Sequence, residues 1–352
     1  MSQQIPRTAY FAQSGVLTIS PNIAIGAFPS GITTGFNFLL PVSSASLEVS
    51  RPVEAVTSFG QFNSVNNVQT NLTTCKSTLK SYLGSGNGGM YGVTADLLNA
   101  IILSNLTGLG VGIVVNPAGY SLSGIVDNIG LDIAMGGLGT CDLGFAGIGY
   151  PYSLSAPAAT ALTAQQLQNT GFFIAPVTTM SVNSFSTQLT GYIASGTAYP
   201  QTLIVTGTYT NALSGLYANS IKFSLSMPTD VLSALGDNPN AVQGSLVSQM
   251  ASKPPYKATI AVEGHGVNIT PAGIDTIANA MFGIGNIGIV LPNGKVTARS
   301  FNNAAGQISA TYSATIEDVS AVFYDLSLAS YPLATGINFT GNISGFGPTY
   351  GG

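Results

Sequence analysis

Charge is what this chain has least of. Of 352 residues, 9 are Lys or Arg and 13 are Asp or Glu, 6% in all, against about 25% in an ordinary soluble protein. Tryptophan is absent, His265 is the single histidine, and Cys75 and Cys141 are the two cysteines. Nine basic residues scattered from Arg7 to Arg299 supply no clustered groove for a phosphate backbone. One histidine and two cysteines are too few for a structural zinc site and exclude a disulfide framework. The expectation is two buried thiols, no metal, no cofactor and no enzymatic activity. Long hydrophobic runs are also missing. The most apolar stretches, 97–103 and 281–291, are interrupted by Gly or Asn, so no membrane-spanning helix is expected. The first residues, Met-Ser-Gln-Gln-Ile-Pro-Arg-Thr, lack the basic and apolar regions of a secretory signal, so synthesis in a cytoplasm is expected.

What is present is apolar and small. The hydrophobic share is 45% and glycine accounts for 43 residues, so a sizeable core can form and disorder is not expected. The surface must then be made of Ser, Thr, Asn, Gln, Gly and Ala. A free monomer ordinarily carries charge on roughly 25–35% of its surface residues. An uncharged surface suits a chain that neighbours cover, which points to a subunit of a large assembly.

The strongest internal pattern is a duplication at an offset of half the chain. Residues 50–60 (SRPVEAVTSFG) align with 226–236 (SMPTDVLSALG), and 112–115 (GIVV) with 288–291 (GIVL). Gly130 aligns with Gly306 and Asp142 with Asp318 at the same offset, whereas Lys76 aligns with Lys257 across an insertion. Two copies are too few for a solenoid, and each is domain-sized. The expected organisation is therefore mainly β: two tandem, similar β-sandwich or barrel-type domains, residues 1–165 and 166–352, each with one α-helix and assembling through inter-subunit sheets. Alternating residues predict strands at 44–49 and 220–225, with the next strands at 68–83 and 256–262. Helices are predicted to start at Thr94 and at Thr270-Pro271, an N-cap followed by a first-turn proline. Hairpins are predicted to turn at 116–119 and 292–294. Closing strand pairs are predicted at 129–134 with 141–145, and at 308–312 with 316–323.

Catalytic and cofactor motifs are weak. Gly84-Ser-Gly86-Asn-Gly88-Gly89 fits G-x-G-x-x-G, but the helix start lies too far downstream to hold a pyrophosphate. Ser77-Thr-Leu-Lys80 fits S-x-x-K, yet on a strand Ser77 and Lys80 point to opposite faces. His265 has no partner at triad spacing. The acids are more suggestive. Glu54 and Asp230 hold equivalent places in the two copies, and Glu48, Glu54, Asp142, Asp230 and Asp318 are candidate lumen or ring-contact residues. Turn or capping roles are the alternative for these acids.

Residues 46–60 (SLEVSRPVEAVTSFG), 124–147 (GIVDNIGLDIAMGGLGTCDLGFAG) and 215–226 (GLYANSIKFSLS) resemble segments of the major tail tube proteins of tailed bacteriophages. That resemblance implies a structural virion protein assembled in the host cytoplasm, with rings stacked into a channel for DNA ejection. A fused pair of tube domains would make each ring a trimer with pseudo-sixfold symmetry. Its partners would be further copies of itself, other tail or capsid proteins, and DNA passing without sequence preference. The alternative is a double-barrel viral major capsid protein or another shell subunit.

Overall fold

The computed structural model describes residues 16–23, 38–56, 66–83, 93–153, 178–192, 198–207 and 216–325, with short gaps inside several of these stretches. The expected domain boundary between residues 155 and 175 lies outside them. The first half contains β1 (Val16–Ile23), β2 (Phe38–Ser50), β3 (Val53–Val56), β4 (Asn66–Gln69), β5 (Thr74–Tyr82), α1 (Ala95–Leu106), β6 (Gly110–Asn116), β7 (Tyr120–Ala134), β8 (Thr140–Ile148) and β9 (Tyr152–Ser153). The second contains β10 (Thr178–Met180), β11 (Phe185–Tyr192), β12 (Ala198–Gly207), β13 (Leu216–Ser226), β14 (Thr229–Leu232), β15 (Gln249–Ser252) and β16 (Lys257–Gly266). There follow α2 (Pro271–Asp275), which runs into a 3-10 turn at Thr276–Asn279, and then β17 (Met281–Ile284), β18 (Ile287–Val290), β19 (Lys295–Asn302), β20 (Ala310–Asp318) and β21 (Val322–Asp325).

Side-chain parity builds the strands. In β5, Cys75, Ser77, Leu79 and Ser81 are buried while Lys76 and Thr78 are exposed, the two-residue period of a sheet with one face on a core. β16 repeats the alternation, burying Ala258, Ile260 and Val262. Antiparallel pairings then close β1, β2, β5, β8, β7 and β6 into a ring of six strands. Closure leaves no free edge within that ring at the paired residues. Its core includes Leu79, Ile113, Leu122 and Phe145, each at most 1% exposed. Helix α1 buries Leu97, Leu98 and Ile101 completely and packs against β1, β6 and β21, so it reaches into the second half.

One sheet runs through both halves. From β2 it passes to β5, β8 and β7, crosses to β13, and continues through β16 and β20 to β19. The two four-strand runs, β2-β5-β8-β7 and β13-β16-β20-β19, have the same order and the same register. Ser44 pairs with Lys80 and Ser50 with Thr74; Ser220 pairs with Glu263 and Ser226 with Lys257. A bulge falls between Val42 and Ser44 in β2 and between Ala218 and Ser220 in β13. A second bulge falls at Asp127 in β7 and at Thr297 in β19. The hairpins match as well, with Glu54 opposite Val68 and Asp230 opposite Ala251. Bulges re-aim a strand at a defined point, and here they fall at corresponding positions in both runs.

Several sequence expectations are corrected. Residues 68–83 are not one strand: β4 and β5 are separated by a bend, and Leu72 and Thr73 are buried there. The turn at 292–294 exists, with the Gly294 amide donating to the Leu291 carbonyl at 3.2 Å, but it does not make a hairpin. β18 belongs to the sheet β10-β17-β18-β21, and β19 pairs with β20. All four residues of β18 are buried, so this strand is sandwiched while β19 stays on the surface, and the turn passes the chain from one sheet to the other. Residues 308–312 and 316–323 are not a strand pair. β20 runs unbroken from Ala310 to Asp318, with Tyr312, Ala314 and Ile316 buried in alternation. The second helix begins as expected, the Gly273 amide donating to Thr270 Oγ1 at 3.1 Å, but α2 has only 5 residues. Among the described residues no helix is long and apolar enough to cross a membrane.

Candidate assembly surface

The continuous sheet turns its second face outward, and that face carries five acids and five bases. Acids on this face are Glu48, Asp132, Asp142, Glu263 and Glu317; bases are Lys76, Lys80, Lys222, Lys257 and Lys295. The two groups are equal in number, so the face is neutral, and Ser and Thr fill most positions between them. Ion pairs cross adjacent strands: Lys80–Asp142 at 3.9 Å, Lys222–Asp132 at 3.8 Å and Lys257–Glu317 at 2.9 Å. Their side chains are 35–66% exposed, so each contributes at most about 1 kcal/mol. They hold side chains down on the face more than they stabilise the fold.

The junction between the halves is β7 against β13, with Ser220 opposite Ala134 and Ser226 opposite Asn128. Below it, Ile221, Phe223 and Leu225 of β13 and Ile129, Leu131 and Ile133 of β7 are each 0–2% exposed. The Met227 amide donates to the Asp127 carbonyl at 2.8 Å, extending the joint past the bulge. The Asn105 side-chain amide donates to the Val126 carbonyl at 2.8 Å and approaches Met227 Sδ at 3.3 Å.

A second contact comes from the segment between β14 and β15. Gln243, 1% exposed, accepts from the Ser123 amide at 2.9 Å and donates to the Ser123 carbonyl at 2.8 Å. Its amide also lies 3.7 Å from Cys75 Sγ. Gln243 thereby supplies backbone bonds to β7 where that strand bends from β6 toward β8. Gly149, at φ 82, gives the left-handed turn that sets the Tyr150 backbone opposite Ala241 and Gln243, with bonds of 3.0 Å in each direction. Met250 of β15 packs beside Ile125, Ala146 and Ile148, with Val231 and Leu246 alongside. The β14–β15 hairpin thus rests on the outside of the first-half barrel.

Asp127 stands at the β7 bulge. Burial pushes its carboxyl above the ordinary aspartate range, against the opposing pull of Lys76. A raised acid disfavours its own charged form, so it costs stability above its folded pKa, and the cost fades as pH falls toward the unfolded value. Asp127→Asn should raise the melting temperature at pH 7, with a gain that vanishes at acid pH. A lower melting temperature at pH 7 would contradict this account. Burial likewise pushes the Cys75 thiol up to about 12 and Cys141 higher still, so neither is a ready nucleophile.

The five acids singled out from the sequence fall in three places. Glu48 and Asp142 lie on the outward face, opposite Lys76 and Lys80 respectively. Glu54 and Asp230 occupy corresponding positions on the hairpins β3–β4 and β14–β15, and Asp230 pairs with Lys253 at 3.4 Å. Asp318 ends β20, where it accepts from the Asn293 amide at 2.7 Å and the Val319 amide at 2.6 Å; it is a cap. Asp142 and Asp318 are not equivalent. By register the counterpart of Asp142 is Ser313, each standing third across its run, opposite Lys80 and Glu263. For the same reason Thr74, and not Lys76, is the counterpart of Lys257.

Ser77 is buried with its hydroxyl 2.9 Å from Tyr120 Oη, on the opposite side of β5 from Lys80. His265 Nδ1 lies 3.1 Å from Asn219 Oδ1. The glycines of 84–89 lie outside the described residues. Neither bulge nor Gln243 is flagged by composition or motif, and both matter more to this surface than any motif does.

No protein-family model matches the chain, and no curated protein does. Among solved structures, a chain from the virion of a native gene transfer agent particle is similar at 15% sequence identity and a TM-score of 0.23, over 34% of this chain and 88% of that one.

Proposed function

We propose that this chain is a structural virion protein that builds a tail tube: three copies close a ring, and stacked rings enclose a channel for DNA. The supporting observation is the β7–β13 junction. It joins two four-strand runs of identical order and register, so the chain already contains one repeat of a head-to-tail contact that can continue to the next chain. With eight strands per chain, three chains give 24. At about 4.8 Å between strands this is a circumference of roughly 115 Å and a diameter of at least about 37 Å, wider than a DNA duplex. A neutral, serine- and threonine-rich face with three of its five lysines in ion pairs offers phosphate little to hold. The role is passive and needs no catalysis or cofactor.

A sheet that runs unbroken from one half to the other favours this reading over a shell subunit, in which two barrels stand side by side. Negative-stain microscopy of the purified protein tests it. Rings or tubes are expected; a discrete monomer at micromolar concentration would overturn the proposal, and closed shells would favour the capsid alternative.

A further inference from the structure

We infer that the next copy of this chain docks by strand pairing, residues 298–302 of β19 in one copy lying antiparallel to residues 46–50 of β2 in the next, in the register set by the internal junction. The inference rests on the ring reading and specifies its contact.

Residues of β13 exceed their β2 counterparts by 176, and residues of β19 exceed their β7 counterparts by 170, as the shared cross-strand partners and bulges require. Carrying the β7–β13 pairs across these offsets places Ser50 opposite Ala298, Glu48 opposite Ser300, Leu47 opposite Phe301 and Ser46 opposite Asn302. Among the described residues both edges are open for this. β19 has a strand partner on one side only, and β2 pairs with β5 along residues 42–50 while on its other side, among the described residues, it meets β1 only at residues 38–41. β7 is arranged likewise, with β6 on the first part of that edge and β13 on the rest.

Exposure gives an independent reason. Phe301 is 52% exposed and Val49 37%, whereas their counterparts Leu131 and Leu225 in the internal junction are at most 1% exposed. The expected cross-strand pair is Leu47 with Phe301, the same two side-chain types as Phe223 with Leu131 but with strands exchanged. Val319, 61% exposed, corresponds to Ile148, which lies buried beneath the β14–β15 hairpin. The equivalent hairpin, β3–β4, carries exposed Val53, Val56 and Val68. Six of the exposed large apolar residues thus sit where this one contact would cover them.

Cysteine pairing tests the register. Directly opposed antiparallel residues have Cα atoms about 4.5–5.5 Å apart, inside disulfide range, and the native cysteines are buried. A mixture of Ser46→Cys and Asn302→Cys chains under mild oxidation should give mostly a mixed dimer on non-reducing gels. A mixture of Ser46→Cys and Ala298→Cys chains, four residues out of register, should give at least tenfold less. Particle mass is measured on the same samples. Particles of ring mass without the in-register dimer, or with equal out-of-register dimer, would overturn this pairing while leaving the ring standing. Samples that stay monomeric and uncross-linked would overturn both.

Discussion

Phe301→Asp is expected to leave the chain folded and to stop it assembling. In the isolated chain this side chain is half exposed on an edge strand, so the substitution should cost at most about 1 kcal/mol of stability. At the proposed joint the same position lies opposite Leu47 over a core. Burying a phenylalanine there contributes about 1.5–3 kcal/mol, and a carboxylate in its place adds an unpaired charge that costs several kcal/mol more to bury. A loss of 3 kcal/mol is already more than 100-fold in association, and a closed trimer contains the contact three times. Thermal melting and particle mass measured together decide the outcome. A variant that melts within a few degrees of the parent yet remains monomeric fits the joint. A variant that forms rings as readily as the parent places Phe301 elsewhere. Loss of folding would show that the side chain is part of the monomer core, contrary to its exposure.

Much of the sheet was legible because strands such as β5, β16 and β20 bury one face and leave the other at the surface. Residues 44–49 and 220–225 alternate cleanly, and the structure puts both in long strands. The hairpin acids Glu54 and Asp230 were matched correctly because the 176-residue offset holds through β2–β3 and β13–β14. It fails downstream because the loops differ in length. The offset rises to 183 between Thr74 and Lys257 and falls to 171 between Asp142 and Ser313. The coincidence that placed Asp318 at 176 from Asp142 therefore linked a mid-sheet ion-pair residue to a cap. The 292–294 turn was read as a hairpin because local turn chemistry does not reveal which sheet takes the following strand. Gln243 gave no signal at all. A glutamine in a polar segment reads as surface, and its burial follows only from the need of the bent β7 backbone for partners.

The β7–β13 joint itself is a long-range pairing that no local pattern encodes, and its energetic weight can be measured through Phe223. This residue is 2% exposed, lies between Leu131 of β7 and Ile260 of β16, and meets Phe323 edge to face with ring centroids 5.3 Å apart. Truncating such a side chain costs about 3–5 kcal/mol, a large part of the 5–15 kcal/mol available to a typical fold. If the halves were independent units, Phe223→Ala would weaken the second half and leave a separate, unshifted transition for the first. The shared sheet, the insertion of Gln243 beside β7 and the contact of α1 with β21 predict instead one cooperative transition, displaced as a whole. Urea unfolding in the Phe301→Asp background keeps assembly out of the measurement. Tyrosine emission and far-ultraviolet dichroism report it, since the chain has 15 tyrosines and no tryptophan. Coincident curves with a midpoint lowered by 3–5 kcal/mol divided by the m-value are expected. Two separated transitions, only one of them moved, would show that the junction is a contact between autonomous domains, and the internal repeat would then be a tether more than a template.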